Sequence, residues 1–131
     1  MNIGYKVVRQ INNTNEYKPA LSTAHQGIRY IPNQPTMQDA ESFGPITVFS
    51  FLTLAQIFAK DMSHLLGIAL FKVSYEQSDE NKLWKKEGEK IKTKDLSTCP
   101  RGTILARSVT LEEKIEIEEN YPSFEELEYN A

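Results

Sequence analysis

Trp84 stands among Lys82, Lys85 and Lys86, and Arg101 and Arg107 follow further along the chain. An indole beside amines is a pairing that stacks a flat ring while the cations meet phosphate, so Trp84, Lys85, Lys86, Arg101 and Arg107 are candidate ligand-binding residues. The same tryptophan could instead pin a polar loop to the body of the protein. Soft metal ligands are scarce. His25, His64 and Cys99 are the whole supply, and none falls in an HxxxH or CxxC spacing, so no metal site is expected. No elbow motif presents a serine or cysteine nucleophile, and no catalytic constellation is complete. The six glycines are scattered rather than gathered into a phosphate-cradling loop, and no cofactor is implied.

Any such group must be held by the surrounding elements. Tyr5–Gln10 is β-branched and aromatic and reads as a strand, closed by the turn formers Asn12–Asn15. Pro19–Ala24 and Ile28–Ile31 read as a hairpin about His25-Gln26-Gly27. Pro32 to Gly44 has two prolines and no sustained period, and reads as a long loop. Ile46–Phe49 is a short buried strand. Leu54, Ala55, Phe58, Ala59, Met62, Leu65 and Leu66 then recur at helical spacing and predict an amphipathic helix over 52–66. Ser50 or Thr53 would cap its start and Gly67 its end, with His64 in the last turn. Ile68–Tyr75 reads as a central strand and Glu76–Lys94 as a polar excursion with a loosely anchored turn. Thr103–Val109 is another strand. Glu113–Glu118 alternates as a charged edge strand. The expectation is a single α+β domain over 1–120, with a twisted, mainly antiparallel sheet and one main helix packed on it. An acidic tail over 121–131 would follow, with a capping box at Ser123 and Glu126 predicting a short helix over Phe124–Tyr129.

The chain has 131 residues, 40% apolar and 25% charged, which suits one globular domain and excludes wholesale disorder. One cysteine permits no internal disulfide, and a reducing, cytoplasmic setting is expected. No stretch approaches the roughly 20 apolar residues of a membrane span, and no signal peptide is read at the start. The net charge of −3 conceals a polarity. Glu112 to Ala131 carries eight glutamates and one lysine, a net of −7; Lys82 to Arg107 carries eight basic and three acidic residues, a net of +5. Such blocks are commonly a solvated loop and a solubilising tail; they could also pair with each other or meet partners. Binding to nucleic acid would have to rely on the basic segment alone, which argues against it.

Tyr5-Lys6-Val7-Val8-Arg9, then Ile46-Thr47-Val48-Phe49-Ser50 with Ala55 and Phe58, then Phe71-Lys72-Val73, then Pro100-Arg101-Gly102-Thr103-Ile104 resembles the order of elements in ADP-ribosyltransferase-like folds. It also looks like short bacterial and phage proteins that share this framework. In active transferases of the Arg–Ser–Glu type, an arginine and a serine-bearing strand hold the nicotinamide dinucleotide, and a Glu-x-Glu pair activates the acceptor. The resemblance implies that Arg9 and Ser50 stand for the first two. Glu87/Glu89, Glu116/Glu118 or Glu126/Glu128 would supply the pair. On residues alone, Arg9 reads as a surface strand arginine, and Glu116 and Glu118 as a solvated strand face. Three functions follow as expectations. The first is a small non-catalytic binding protein for a nucleotide-like ligand or a protein partner. The second is a divergent ADP-ribosyltransferase-like enzyme, and the third an assembly protein using its acidic tail.

Overall fold

Alternation along two strands decides the architecture. In Ile68–Gln77, Ala69, Phe71, Val73 and Tyr75 fall on one face and Leu70 on the other; in Asn2–Gln10, Val8 shares a face with Lys6 and Gly4, while Tyr5 and Val7 face the opposite way. A strand with apolar residues on both faces needs a core on each side. A computed structural model describes residues 2–20, 28–38 and 43–118. Its elements are β1 (Asn2–Gln10), β2 (Tyr17–Pro19), β3 (Pro35–Met37), β4 (Ile46–Phe49), α1 (Leu52–Asp61), β5 (Ile68–Gln77), β6 (Lys82–Glu87), β7 (Lys90–Asp95) and β8 (Thr103–Ile115). A 3₁₀ turn at Leu96–Thr98 precedes β8.

Six strands form one sheet, and every pairing in it is antiparallel. β5 pairs with both β1 and β8, β8 pairs with β4, and β4 returns to β1, so the ladders close on themselves. Closure of β1, β5, β8 and β4 gives the sheet an inside. Val8, Tyr17, Ile28, Tyr30, Ile46, Val48, Phe71, Val73, Tyr75, Val109 and Leu111 fill that inside, with Tyr17 edge-on to Phe71 at 5.0 Å between ring centres. The second core lies outside the ring, where Val7, Phe49 and Leu70 meet Ala55 and Ala59 of the helix. One circuit is weak. β1 and β5 share eight register pairs, but β1 and β4 share one, Tyr5 with Phe49.

The α+β expectation holds in this form: a mostly antiparallel sheet with one helix. The helix is shorter than its periodicity predicts, ending at Asp61 rather than at 66. Beyond it, Ser63 Oγ donates to Lys60 O and a ring nitrogen of His64 contacts Asp61 O, so side chains satisfy the last carbonyls and the chain turns away. His64 therefore sits after the helix, and Leu66 is 86% exposed. Gly67 does adopt a positive φ of 85°, but as a loop residue joined to Gln10 N. The N-cap is Phe51, with no side-chain cap bond, in place of Ser50 or Thr53. Gln56, outside the predicted stripe, is buried; its amide donates to Glu116 O and accepts from Glu118 N, both at 2.9 Å.

Three further expectations are corrected. The long loop over 32–44 contains β3, which pairs with β8 at 108–110. Thr103–Val109 and the start of Glu113–Glu118 are one 13-residue strand, β8, flanked on one side by β5 and on the other by β4 and β3. The β5–β8 register slips between Lys72 and Val73, accommodating Glu112, and between Glu76 and Gln77, accommodating Arg107; beyond Thr110, β8 pairs with β5 alone. The polar excursion is an ordered β6–β7 hairpin, closed by a Gly88-Glu89 loop in which Gly88 takes φ 63°. Residues 21–27, with the expected hairpin tip at His25, lie outside the described residues, although Tyr17 and Tyr30 do bridge. The acidic tail, its capping box and the Glu126/Glu128 pair lie outside them too. Among the described residues no helix is long and apolar enough to cross a membrane.

Replacing Gln56 by Ala strips Glu116 O and Glu118 N of their partner; stability should fall by about 1–3 kcal/mol, read as a lower urea midpoint at unchanged m. Gly44 N donates to Trp84 O, and a Cβ at Gly44 would run into the indole. Gly44→Ala should therefore unseat Trp84, shifting its fluorescence to the red and speeding proteolysis within 82–95, while far-UV circular dichroism of the barrel is retained.

Candidate functional site

Where two strands share a single register pair, the remaining backbone of the seam must find other partners. Lys6 provides one. It lies on the inward face of β1, 6% exposed, and its Nζ donates to Thr47 O of β4 at 2.6 Å, with Thr47 Oγ1 at 3.3 Å. The amine also sits 5.5 Å from the centre of the Tyr30 ring. Beside this bond the seam opens into a recess of about 100 Å³, lined chiefly by apolar groups including Phe49, Phe58 and Leu83. The other polar side chains on its wall belong to Lys94, Cys99, Tyr30, Thr47 and Thr103. No carboxylate is among them.

The β6–β7 hairpin covers the recess. Leu83 and Lys94 are cross-strand partners and so share one hairpin face; both line the recess, and Leu83 is buried. Lys85 opposite Lys92 continues that face, and Glu87 is held between them at 2.8 and 2.9 Å. Hydrogen bonds from Lys85 and then Lys92 bring the Glu87 carboxyl down to about 2. It is thus spent on its own hairpin. Lys82 and Asp95 pair more loosely at 3.8 Å.

Burial sets the chemistry of the recess. Desolvation brings Lys6 down to about 7, and Tyr30 is driven upward for the same reason. Burial likewise raises the Cys99 thiol, against a smaller opposing pull from Lys94, which makes the sulfur a poor nucleophile. At neutral pH the floor of the recess therefore holds an amine divided between charged and neutral forms. Among the described residues no group of three or more His, Cys, Asp or Glu is placed to hold a metal.

The residues singled out from sequence lie elsewhere. Arg9 Nε donates to Leu66 O, tying β1 to the segment after the helix. Ser50 meets Gly102 O through its backbone, with Oγ 3.5 Å from the same oxygen. Arg107 bonds Glu76 at 2.8 Å across the β5–β8 ladder. Trp84 is half-buried on the hairpin face opposite Leu83, with Nε1 donating to Glu80 at 2.9 Å. Lys85 lies on the same hairpin face as Lys94, Lys86 on the exposed opposite face, and Arg101 in a shallow groove that shares Cys99, Pro100 and Thr103 with the recess. Of the Glu-x-Glu pairs, Glu116 and Glu118 offer their backbones to Gln56.

Lys6 was overlooked because it reads as the polar member of an alternating strand. The available signal was that it shares its face with Val8, the inward face. No family model, curated protein or solved structure matches this chain.

Below about pH 7, Lys6 is charged in the folded and the unfolded chain, and its burial penalty is full. Above that, the folded chain sheds the proton while the unfolded chain keeps it up to 10.5, so stability rises with pH. Tyr30 reverses the trend above its ordinary value of 10.0, where the unfolded chain ionises first. Between pH 7 and 9.5, the wild type should gain on the order of 2–3 kcal/mol relative to Lys6→Met in urea titrations. A constant difference between the two would assign Lys6 no buried charge.

Proposed function

We propose that this protein is a non-catalytic binding protein for a small, nucleotide-like anion carrying a flat ring. The observation that carries this reading is a mainly apolar recess with one amine at its floor, Lys6, and a second on its wall, Lys94. Size limits what can enter. A cavity of about 150 Å³ holds a benzene ring, so a recess of about 100 Å³ takes at most one ring-sized group or a short acyl chain. The rest of the ligand stays outside, where Lys94 and the neighbouring Lys92 and Lys90 can meet phosphate or carboxylate. The apolar wall supplies affinity and the amines select charge.

A protein partner is the second reading, favoured by the exposure of β7 along its whole length. Its six residues include Lys90, Lys92 and Lys94, and Ile91 is 64% exposed. An acidic surface would fit such a strand.

Calorimetric titration with nucleoside monophosphates, cyclic dinucleotides and benzoate tests the first reading. Binding should be weakened at least tenfold by Lys94→Ala and by 0.5 M salt. Silence across the panel from a folded sample would leave the partner reading alone.

A further inference from the structure

We propose that Lys6 captures small aldehydes and ketones in the seam recess as a reversible imine, the recess acting as a carbonyl-trapping site. The inference rests on the reading of the recess as a ligand site and adds the chemistry its floor performs. Four features of the structure carry it. Lys6 is one of the residues that line a cavity, and its Nζ bonds Thr47, which lines the same cavity. Its position is fixed by Thr47, through the carbonyl at 2.6 Å and the hydroxyl at 3.3 Å, so the nitrogen does not sweep a wide volume as a surface lysine does. Among the described residues no carboxylate lines the recess, and Lys94 adds a second positive charge to the same wall. The remaining wall is chiefly apolar, which favours loss of water from the adduct.

A desolvated lysine in an apolar pocket is the usual form of an amine nucleophile. Burial that brings Lys6 to about 7 keeps a large share of it neutral at physiological pH. In the step, the nitrogen lone pair attacks the carbonyl carbon while the C=O π electrons pass to oxygen, which takes a proton. The carbinolamine then forms the C=N bond as the C–O bond breaks. The carbonyl oxygen departs as water, carrying the two hydrogens that the neutral amine gives up. No electrons are gained or lost overall, and hydrolysis returns both partners. Thr47 Oγ1 is within hydrogen-bond reach of the nitrogen and can hold the carbinolamine hydroxyl. Ligands with a ring-sized body and an acidic group fit best, because the body fills the recess and the acid meets Lys94.

The probe is 4-carboxybenzaldehyde with cyanoborohydride at pH 7, followed by mass mapping of tryptic and chymotryptic peptides. Lys6 should be labelled at least tenfold faster than Lys90 or Lys92, and a large excess of 4-methylbenzoate should protect Lys6 alone. Mapping separates Lys6 from the chain's α-amino group. Thr47→Val, which keeps the carbonyl and the β-branched shape, should slow the labelling of Lys6 severalfold without changing that of Lys90. Labelling spread over the surface lysines with Lys6 untouched would overturn the proposal. If 4-methylbenzoate binds by calorimetry while Lys6 stays unlabelled, imine capture fails and the recess stands as a ligand site. If Lys6 stays unlabelled and 4-methylbenzoate does not bind either, both readings fail.

Discussion

A side-chain amine stands where a backbone ladder would otherwise run: Lys6 Nζ donates to Thr47 O at the seam between β1 and β4, where those strands share only the Tyr5–Phe49 pair. Closing a short sheet into a ring obliges some pair of strands to meet at a poor register. A carbonyl left facing that gap costs free energy unless a donor reaches it. Lysine has the length to cross the gap, but it carries a charge to a recess that no described carboxylate lines. The same contact therefore closes the barrel, opens the recess beside it, and leaves an unusual amine on the recess floor.

The other parts of the structure support that seam. The outer helix presents Ala55 and Ala59 to Val7, Phe49 and Leu70, and small residues there allow a close approach to the sheet. Gln56 binds the chain as it leaves β8, so the strand that pairs with β4 is held at its far end as well. The β6–β7 hairpin adds no strand to the barrel. It is fastened by buried Leu83, by the Phe43–Lys85 bridge and by Trp84 seated against Gly44, and it lays Lys94 against the recess.

Charge follows the same division. Glu87, Asp95 and Glu76 are paired with Lys85 and Lys92, Lys82 and Arg107 respectively, on exposed surfaces where such pairs contribute little stability. Among the described residues, the recess that Lys6 and Lys94 line has no carboxylate on its wall.

Period and turn chemistry alone determined much of this protein: the first strand, the Ile46–Phe49 and Ile68–Tyr75 strands, the start of β8 and the existence of the helix. Those signals are local, because a strand alternates and a helix repeats whatever it packs against. The helix end was misread because Leu65 and Leu66 continue its period, while Ser63 and His64, by bonding the last carbonyls, stop it. The β6–β7 hairpin hid behind its lysines, although the Gly88-Glu89 loop between two alternating segments was a legible sign. Ring closure and the burial of Gln56 and Lys6 were decided by tertiary structure. Each depends on which residue of one strand comes to lie beside which residue of another, and on how much water is left between them. A lysine in an alternating strand has the same sequence signature whether its face turns to solvent or into a closed sheet. Only closure of the ring fixes which.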